Sequence, residues 1–567
     1  MQKRGLGLCA LWLAAFWLTL LSFGGTLGAE SNAPSLVYRG YGGQGTVSGS
    51  LHVLEVDDDF YLVDVGSFFG RDGANYPWPE EVAVTAIRAV FITHAHADHL
   101  GRLPLLLHEG YRGPIYMTRI TYELALLTLT DNLGLVDFGP ERFYYSRHQA
   151  GRRRIPVYLE SYDFGDRTVR PDNRIHFTAR RGELSAQGYY LARPQREKLA
   201  AELEQRLAQQ VVIVEPGRPV PVDSSVRQAE FLLTPHIPGS AMIRLTLDHH
   251  RLLFAGDTGA GSSPLLPPNP RLQTAVDFLF LEGTMRYDRN DADLLPLRRQ
   301  FRREVAQLAR DGKRVVIPAV VLDRSQQVMF ELGRAIDRGK LPADQVIRVC
   351  SPAANRLLRL YDDFARHYRL ETSNLEADEH IYARYFTPAM AEANFFPAGY
   401  IGECRGEAPD NPLGLKHGEI GIMASGMADY SAARQALLDY LEDPETVFYF
   451  VGYQAPGSLG GRLIAGKTPP TSLTIGGQQR RVRATIRQTG AFAGHADPAT
   501  MLNIFTGTDP HKIFLVHLAG ENGQNLAQRY RREVQTEVVV PEPNRLYRLV
   551  LPADQQPPLV GPTGKEE

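Results

Sequence analysis

The chain has 567 residues and a formal net charge of −2, so it is too long for one ordinary core and is not a wholesale polyanion binder. Any contact with nucleic acid has to come from local patches. At 43% hydrophobic and 22% charged it has ample material for packed globular domains. Residues 1–29 read as a signal peptide or N-terminal membrane anchor. Lys3 and Arg4 form a short basic lead, 6–23 is an almost unbroken apolar run, and small residues before Glu30 offer a cleavage site. The run is long for a signal core and just enough to span uncleaved. The expected location is therefore exported (periplasmic or extracellular) or tethered at the membrane. Cys9 does not sit at the end of the run, which argues against lipoprotein processing. An oxidising compartment would permit a bridge between the other two cysteines, Cys350 and Cys404; two buried free thiols is the other reading.

From 36 to 63, short strands alternate with glycine-rich turns. Gly40-Tyr-Gly-Gly-Gln-Gly has no helix after it and is no phosphate-binding fingerprint. Phe60-Tyr-Leu-Val is a strand that delivers Asp64 at its end. Ala89-Val-Phe-Ile is a buried strand that breaks into His94-Ala-His96-Ala-Asp98-His99. Imidazoles and carboxylates suit zinc and its neighbours. Four in so short a turn cannot all reach one ion. The spacing suits two, with His94 and His96 on one side and Asp98 and His99 on the other. Residues 122–135 read as a helix. The stretch 139–227, with Arg152-Arg-Arg154, Arg180-Arg181 and a charged helix over 195–209, reads in part as an insertion with a solvated charged face.

Next, Phe231-Leu-Leu-Thr-Pro leads to His236, Leu252-Leu-Phe-Ala-Gly to Asp257, and Phe278-Leu-Phe-Leu to Glu282. Each apolar run ends in a residue that binds metal or moves protons. Chance explains one such strand end, not five in succession. From 287 to 487, helices (299–309, 325–337 with Asp323 as N-cap, 431–441) alternate with buried strands (314–318, 346–349, 419–423, 447–451). That alternation argues a parallel α/β domain. Ser425, Tyr453, Ser458 and Arg462 follow its strands, where ligands tend to bind. Arg298, Arg299, Arg302 and Arg303 fit a nucleic-acid path and a solvated helix face equally. No aromatic-rich single-strand-binding module is visible. After 487 come His495, in Phe-Ala-Gly-His-Ala-Asp, and a strand over 512–516 that delivers His517. Residues 545–551 are expected to close the first sheet, and the Pro-rich tail 552–567 to be disordered. The second domain is thus inserted into the first.

His94-x-His96-x-Asp98-His99 resembles, residue for residue, the hallmark of the metallo-β-lactamase superfamily. An inserted α/β cassette, with an acidic residue before it and two histidines after it, resembles the β-CASP nucleases, which include the RNase J type and the pre-mRNA cleavage and polyadenylation nuclease. The likeness runs over about 36–548. It implies an α/β fold: a metallo-β-lactamase αββα sandwich at 33–286 (insertion at about 139–227) and 488–551, with a β-CASP domain at 287–487. By position, Asp64 matches the first motif, His94, His96, Asp98 and His99 the second, His236 the third and Asp257 the fourth. Glu282, His495 and His517 are similar to the family's motifs A, B and C.

The resemblance implies two Zn2+ ions, with Mn2+ the alternative metal. His94, His96 and His236 would hold one, and Asp98, His99 and His517 the other. Asp257 would bridge both, with Asp64 behind the ligands. A hydroxide activated by both ions would attack phosphorus in line. His495, oriented by Glu282, would be the general acid. Ser425, Tyr453, Ser458 and Arg462 would contact the substrate backbone between the domains. The implied function is a zinc-dependent ribonuclease acting on single-stranded RNA or another phosphodiester, and His517 is similar to the RNA-processing branch. Two departures bear on the cleft: Leu518-Ala519 intervene where the family usually has Gly-Glu directly after the motif C histidine, and Glu282-Gly-Thr-Met replaces the usual Glu-Ser-Thr-Tyr. The leader sits uneasily with cytoplasmic RNA maturation. The alternatives are an exported hydrolase of a non-nucleic ester or lactam, which would not need Glu282, His495 or the large insert, and a non-catalytic metal-stabilised binding protein, against which the full ligand set argues. A homodimer stays open.

Overall fold

The computed structural model describes residues 36–68, 78–132, 145–285 with short gaps, 294–351 and 413–551 nearly throughout, and positions 354, 357 and 361. The expected leader (1–29) and tail (552–567) lie outside the described residues, as do Cys9 and Cys404.

Side-chain alternation builds the layers. Every residue of the strand Phe278–Glu282 is buried. Phe278 and Phe280 enter a core with Tyr38, Phe91, Phe254 and Phe514. Leu279 and Leu281 enter another, with Met501 and Leu526 of the helices Pro498–Ile504 and Gly520–Glu533. A strand buried on both faces of its two-residue period has to lie between two layers. The other sheet does the same: Leu54, Tyr61, Val63 and Phe91 meet the shared core, while Val53, Leu62 and Val90 join the core that includes Leu106 and Leu124 of the helices Leu103–His108 and Arg119–Asn132. This is the αββα sandwich. Phe280 stacks on Phe254 and Phe514 at 4.2 and 5.0 Å across the second sheet, which ties its central strands together.

Each sheet has seven strands. In the first, Asp59–Val63, Ile87–Phe91 and Ile115–Thr118 run parallel. In the second, Arg251–Phe254, Phe278–Glu282, Lys512–Val516 and Glu537–Val539 run parallel. The C-terminal part of the chain closes both sheets, because Leu546–Arg548 pairs with Leu36–Gly42 at the edge of the first. The irregular stretch after residue 139 carries five strands between Tyr145 and Leu191, which form an antiparallel sheet of their own. The helix Arg193–Gln210 follows, and Val211–Val214 then pairs parallel to Ile115–Thr118. The later part of that stretch therefore belongs to the sandwich.

The inserted α/β unit has a five-stranded parallel sheet in the order Ile347–Cys350, Ile420–Met423, Arg314–Pro318, Thr446–Phe450, Thr485–Gln488. Two sequence expectations fail here, for physical reasons. Asp323 occupies the N-cap position of the helix Arg324–Asp337, but its side chain makes no cap bond. It accepts instead from Tyr361 Oη at 2.7 Å and from Arg324 and Gln327. Arg298 and Arg302 line neither a nucleic-acid path nor a solvated face. The helix Leu295–Arg310 packs on Arg324–Asp337, and the four-residue spacing turns both arginines inward with Phe301 and Val305. Arg302 pairs with Glu331, and Arg298 donates to Ala491 O at 3.0 Å and Gln327 Oε1 at 2.8 Å. Arg299 and Arg303 are exposed.

Cys350 is disulfide-bonded, and its bridging partner falls outside the described residues. Among the described residues no helix is long and apolar enough to cross a membrane. Glu331, 1% exposed, is the carboxylate facing two buried guanidinium groups. Removing one partner of such a group strands uncompensated charge. Glu331→Gln is therefore expected to cost about 3–5 kcal/mol, read as a lower denaturant midpoint for the full chain.

Candidate metal centre

Both sheets deliver the carboxyl ends of strands to one edge of the sandwich. In the first, Asp64 follows Asp59–Val63, and the run from Thr93 to His99 follows Ile87–Phe91. In the second, His236 follows Val226–Leu233, Asp257 follows Arg251–Phe254, Glu282 ends its strand, and His517 follows Lys512–Val516. Open strand ends of this kind leave side chains without sheet neighbours and so available to a ligand.

The histidine turn is pinned by its backbone. Val65 N donates to His99 O at 2.6 Å, Ser67 N to Ala97 O at 2.8 Å, and Ser50 N to Asp98 O at 2.8 Å. The approach needs Gly66, since a Cβ there would lie 1.6 Å from Asp98 O. Asp64 and His517 hold left-handed φ values of 61° and 52°. Backbone of this kind costs free energy and persists where surrounding contacts fix it. Here His517 N donates to Gly43 O at 2.5 Å and Asp64 N to Phe91 O at 2.8 Å.

Among the described residues three groups of potential ligands result, each with its ligand atoms within 4.8 Å of one another: His94, His96, His236 and Asp257; Asp98, His99 and His517; and Asp257 again with Glu282 and His495. Second partners set the tautomers. Thr93 Oγ1 donates to Asp64 Oδ2 at 2.8 Å and is left to accept from His94 Nδ1 at 3.0 Å. His236 Nδ1 donates to Gly494 O at 2.6 Å, and His99 Nδ1 to Asp64 Oδ2 at 2.6 Å. Each of these rings therefore keeps Nε2 for the site. His96 presents Nδ1, which lies 3.1 Å from His94 Nε2 and 3.0 Å from His236 Nε2. Asp257 stands between the groups, with Oδ2 3.5 Å from His236 Nε2 and Oδ1 3.3 Å from His99 Nε2 and 3.6 Å from His517 Nδ1.

A divalent metal fits this donor set. His99 Nε2, Asp257 Oδ1 and His517 Nε2 are buried without a hydrogen-bond partner, which is costly for atoms whose neighbours are other acceptors and ring nitrogens. All are nitrogen or carboxylate oxygen, the ligands of zinc-like ions. Burial, with neighbouring imidazoles, drives the pKa of His94 and His236 well below the usual range and that of His96 down to about 4. These rings are neutral, as ligands must be. At His99 burial opposes charge, yet Asp257 and Asp64 overcome it and hold the ring well above its usual pKa. The second pocket thus favours positive charge.

Beside the first two groups sits a histidine–carboxylate pair. His495 Nδ1 lies 2.8 Å from Glu282 Oε2, while Thr258 N donates to Glu282 Oε1 at 2.6 Å. Asp497 caps the following helix through Ala499 N and Thr500 N and so fixes the loop that carries His495. Burial works against charge on His495, but Glu282, then Asp257, raise its pKa above the usual value.

The residues read as substrate contacts are placed unequally. Ser425 follows Ile420–Met423 and Tyr453 follows Thr446–Phe450, the two strands that flank Arg314–Pro318. The chain beyond that central strand reaches the metal centre, because Arg324 donates to His236 O at 3.4 Å. The three loops touch: a Cβ on Gly426 would lie 2.8 Å from Val320, and Gln454 Nε2 donates to Gly426 O at 2.8 Å. Tyr453 is 71% exposed on this rim, and the buried Ser425 Oγ has no hydrogen-bond partner. Ser458 is committed elsewhere, accepting from Gly461 N as the N-cap of Leu459–Ile464. Arg462 donates to Thr474 O at 3.1 Å, on the far side of that helix. Thr93, Arg324, Gly494 and Thr284, whose Oγ1 lies 2.8 Å from His517 Nδ1, escaped the sequence reading. A signal existed for Thr93 and Thr284, each one or two residues from a motif acid or histidine. None existed for a backbone carbonyl.

Comparison with known proteins agrees with this geometry. The metallo-beta-lactamase superfamily model matches residues 45–128, and the Beta-Casp domain model matches residues 325–463. The chain is 28% identical to Ribonuclease TTHA0252 of Thermus thermophilus, over 86% of this chain and 94% of that one. It is 25% identical to the transcription termination factor FttA of Methanothermobacter thermautotrophicus, over 87% of this chain and 69% of that one. The FttA of Methanocaldococcus jannaschii is 24% identical over 88% and 69%. With strand ends that gather groups of metal-ligand type and a parallel α/β cassette that interrupts the sandwich, this chain carries a metallo-beta-lactamase superfamily domain and a Beta-Casp domain and is a metal-dependent hydrolase.

Proposed function

We propose that the protein is a ribonuclease that cuts phosphodiester bonds at the centre between its two domains, with two zinc ions, or manganese in their place. His94, His96 and His236 would hold one ion and Asp98, His99 and His517 the other, with Asp257 common to both. Bound there, such ions supply Lewis acidity for phosphate oxygens and acidify a water toward neutrality. The observation that carries the reading is the 2.8 Å contact between His495 and Glu282 beside the shared carboxylate. A departing ribose alkoxide needs a proton, and a lactam or simple ester hydrolase of minimal build has no need of a second, carboxylate-held histidine. With Nδ1 given to Glu282, His495 keeps Nε2 to protonate the leaving oxygen. Tyr453 and Ser425 would lie along the substrate strand. Arg324 would hold the inserted domain against the ligand His236. The names of the relatives, a ribonuclease and transcription termination factors, support RNA as the substrate. The ester or lactam alternative finds no such support.

Export, or a tether at the membrane, is part of the same proposal. It rests on the basic lead and apolar run of residues 1–29 and on the disulfide at Cys350, since disulfides persist in oxidising compartments.

The deciding experiment offers the metal-loaded protein labelled single-stranded RNA, the matching DNA and a small phosphodiester, with metal content read by mass spectrometry. Metal-dependent cutting of RNA is expected, and a loaded protein that cleaves no phosphodiester overturns the reading. His495→Ala is expected to keep its metal and lose about 10²–10⁴-fold in kcat. Asp257→Ala is expected to lose metal and activity together. As a proton donor, His495 works below its pKa and fails as pH rises through it. Glu282→Gln removes the first charge that raises that pKa, so the alkaline limb of the pH–rate profile should move to lower pH. Asp64→Asn should weaken metal binding about 10–100-fold in a metal titration, because His99 loses the partner that orients it.

A further inference from the structure

Among the described residues, His52 is the buried histidine that belongs to none of the ligand groups. It lies on the strand Leu51–Val56, with its ring 5.5 Å from that of Phe254 and 6.3 Å from that of Phe280. An aromatic core has no packing need for an imidazole, whose two nitrogens must each find a partner there. His52 finds them in a short chain of buried groups. Gln44 Nε2 donates to Tyr38 Oη at 3.1 Å, which leaves the phenol proton for His52 Nδ1 at 3.0 Å. Burial, with His99 and His517 close by, takes the pKa of His52 down to about 3, so the ring is neutral. With Nδ1 accepting, its one proton sits on Nε2 and is donated to Ser50 Oγ at 3.1 Å.

The chain of bonds ends on the loop 43–50, which joins the strands Leu36–Gly42 and Leu51–Val56. Gly43 O accepts from His517 N at 2.5 Å, and Ser50 N donates to Asp98 O at 2.8 Å. Ser50 O accepts from Gly66 N at 2.8 Å, and Gly49 N donates to Ser67 O at 2.9 Å. The loop therefore grips the backbone of two of the three residues Asp98, His99 and His517. In the first group, His94 and His236 take their outer partners elsewhere, from Thr93 and Gly494.

We propose that His52 is a positioning residue for the second metal group, fixing through Ser50 the loop that holds Asp98 and His517, a role that rests on the two-ion reading of the site. Asp98 follows a strand of the first sheet and His517 a strand of the second, so each ladder fixes only its own member. The loop bonds to both, and Asp98 Oδ2 lies 3.6 Å from His517 Nε2. Its last residue is tied by His52 to the core between the sheets, where Tyr38 also packs, 4.5 Å from the Phe280 ring and 5.3 Å from that of Phe514. Groups that orient ligands without touching the ion set its affinity. A core histidine that merely satisfies its own nitrogens would affect stability and leave the two ions alike.

The test titrates the full chain with zinc against a chelating dye, with metal content read by mass spectrometry and the urea midpoint of the metal-free protein measured beside it. The wild type should bind two ions. His52→Phe keeps a ring among Phe254 and Phe280 and removes both hydrogen bonds. It should hold the first ion within twofold of the wild-type affinity and the second about 10–100-fold more weakly. Ser50→Ala, which removes only a hydroxyl, should do the same. The double variant should be no weaker than the poorer single one, because the two residues act through one bond. In an Asp98→Ala background, where the second group is already broken, His52→Phe should change the affinity of the remaining ion less than twofold. Leu54→Ala, in the same core but with an aliphatic side chain, should lower the urea midpoint and keep both ions. If His52→Phe keeps both ions at wild-type affinity or weakens both alike, the proposal is overturned and the two-ion reading stands. The same holds if its effect multiplies with that of Ser50→Ala. A wild type that holds a single ion overturns the two-ion reading, and this proposal with it.

Discussion

Asp257 is the constraint on which the site depends. It is 3% exposed, a position where a carboxylate survives only with close compensation. The rings that surround it come from both sheets, and His517 and His99 lead the compensation. His94 Nε2 and His99 Nε2 of the first lie 3.8 and 3.3 Å from its oxygens, and His236 Nε2 and His517 Nδ1 of the second lie 3.5 and 3.6 Å away. Burial raises the cost of its charge, yet His517 and His99 hold its pKa well below the usual carboxylate range. No single strand could gather four rings around one carboxylate. The sandwich does so because the contributing strand ends meet at one edge, over a core of Phe91, Phe254, Phe280 and Phe514 that keeps the sheets in register.

The inserted domain is bound into this arrangement, not merely hung from it. His236 depends on Gly494 O for its tautomer, and Gly494 is where chain returns from the insert. A Cβ at Gly494 would meet the Arg324 guanidinium at 2.1 Å, so the two domains close on each other without room for a side chain. Arg298, on the first helix of the insert, donates to Ala491 O three residues earlier. Its own position depends on Gln327 and Glu331. A chain of buried polar contacts thus runs from the inserted domain's helices to a ring of the metal centre. Such contacts favour one geometry, because leaving any of them unmade strands a buried donor or charge.

Much of this was legible in the sequence, where the signal was local or periodic. Apolar runs ending in His, Asp or Glu gave the strand ends, and the helix–strand alternation after residue 287 gave the parallel sheet. What was not legible depends on partners distant in sequence. Arg298 and Arg302 look like a basic helix face until Glu331 is placed against them. Asp323 has the sequence position of a cap, but Tyr361 and Gln327 claim its oxygens. Ser458 and Arg462 look free in a glycine-rich loop, while local bonds to Gly461 N and Thr474 O occupy them.

The two departures from the family pattern meet in the structure. Gly283 stands where the family usually has serine after Glu282, and Leu518-Ala519 intervene between His517 and Gly520-Glu521. The two positions face each other across the parallel strands Phe278–Glu282 and Lys512–Val516. A Cβ on Gly283 would lie 3.0 Å from Leu518 Cβ and Cδ2, a tight contact. Leu518 is buried with Leu281, Leu515 and Leu526. The Leu518 side chain thus fills the space beside Gly283, in keeping with the close packing of protein cores. The exchange is paid inside the helix-side core. Thr284 stays at 2.8 Å from His517 Nδ1, and Glu282 keeps Thr258 N and His495. Leu518 thus belongs to the helix-side core.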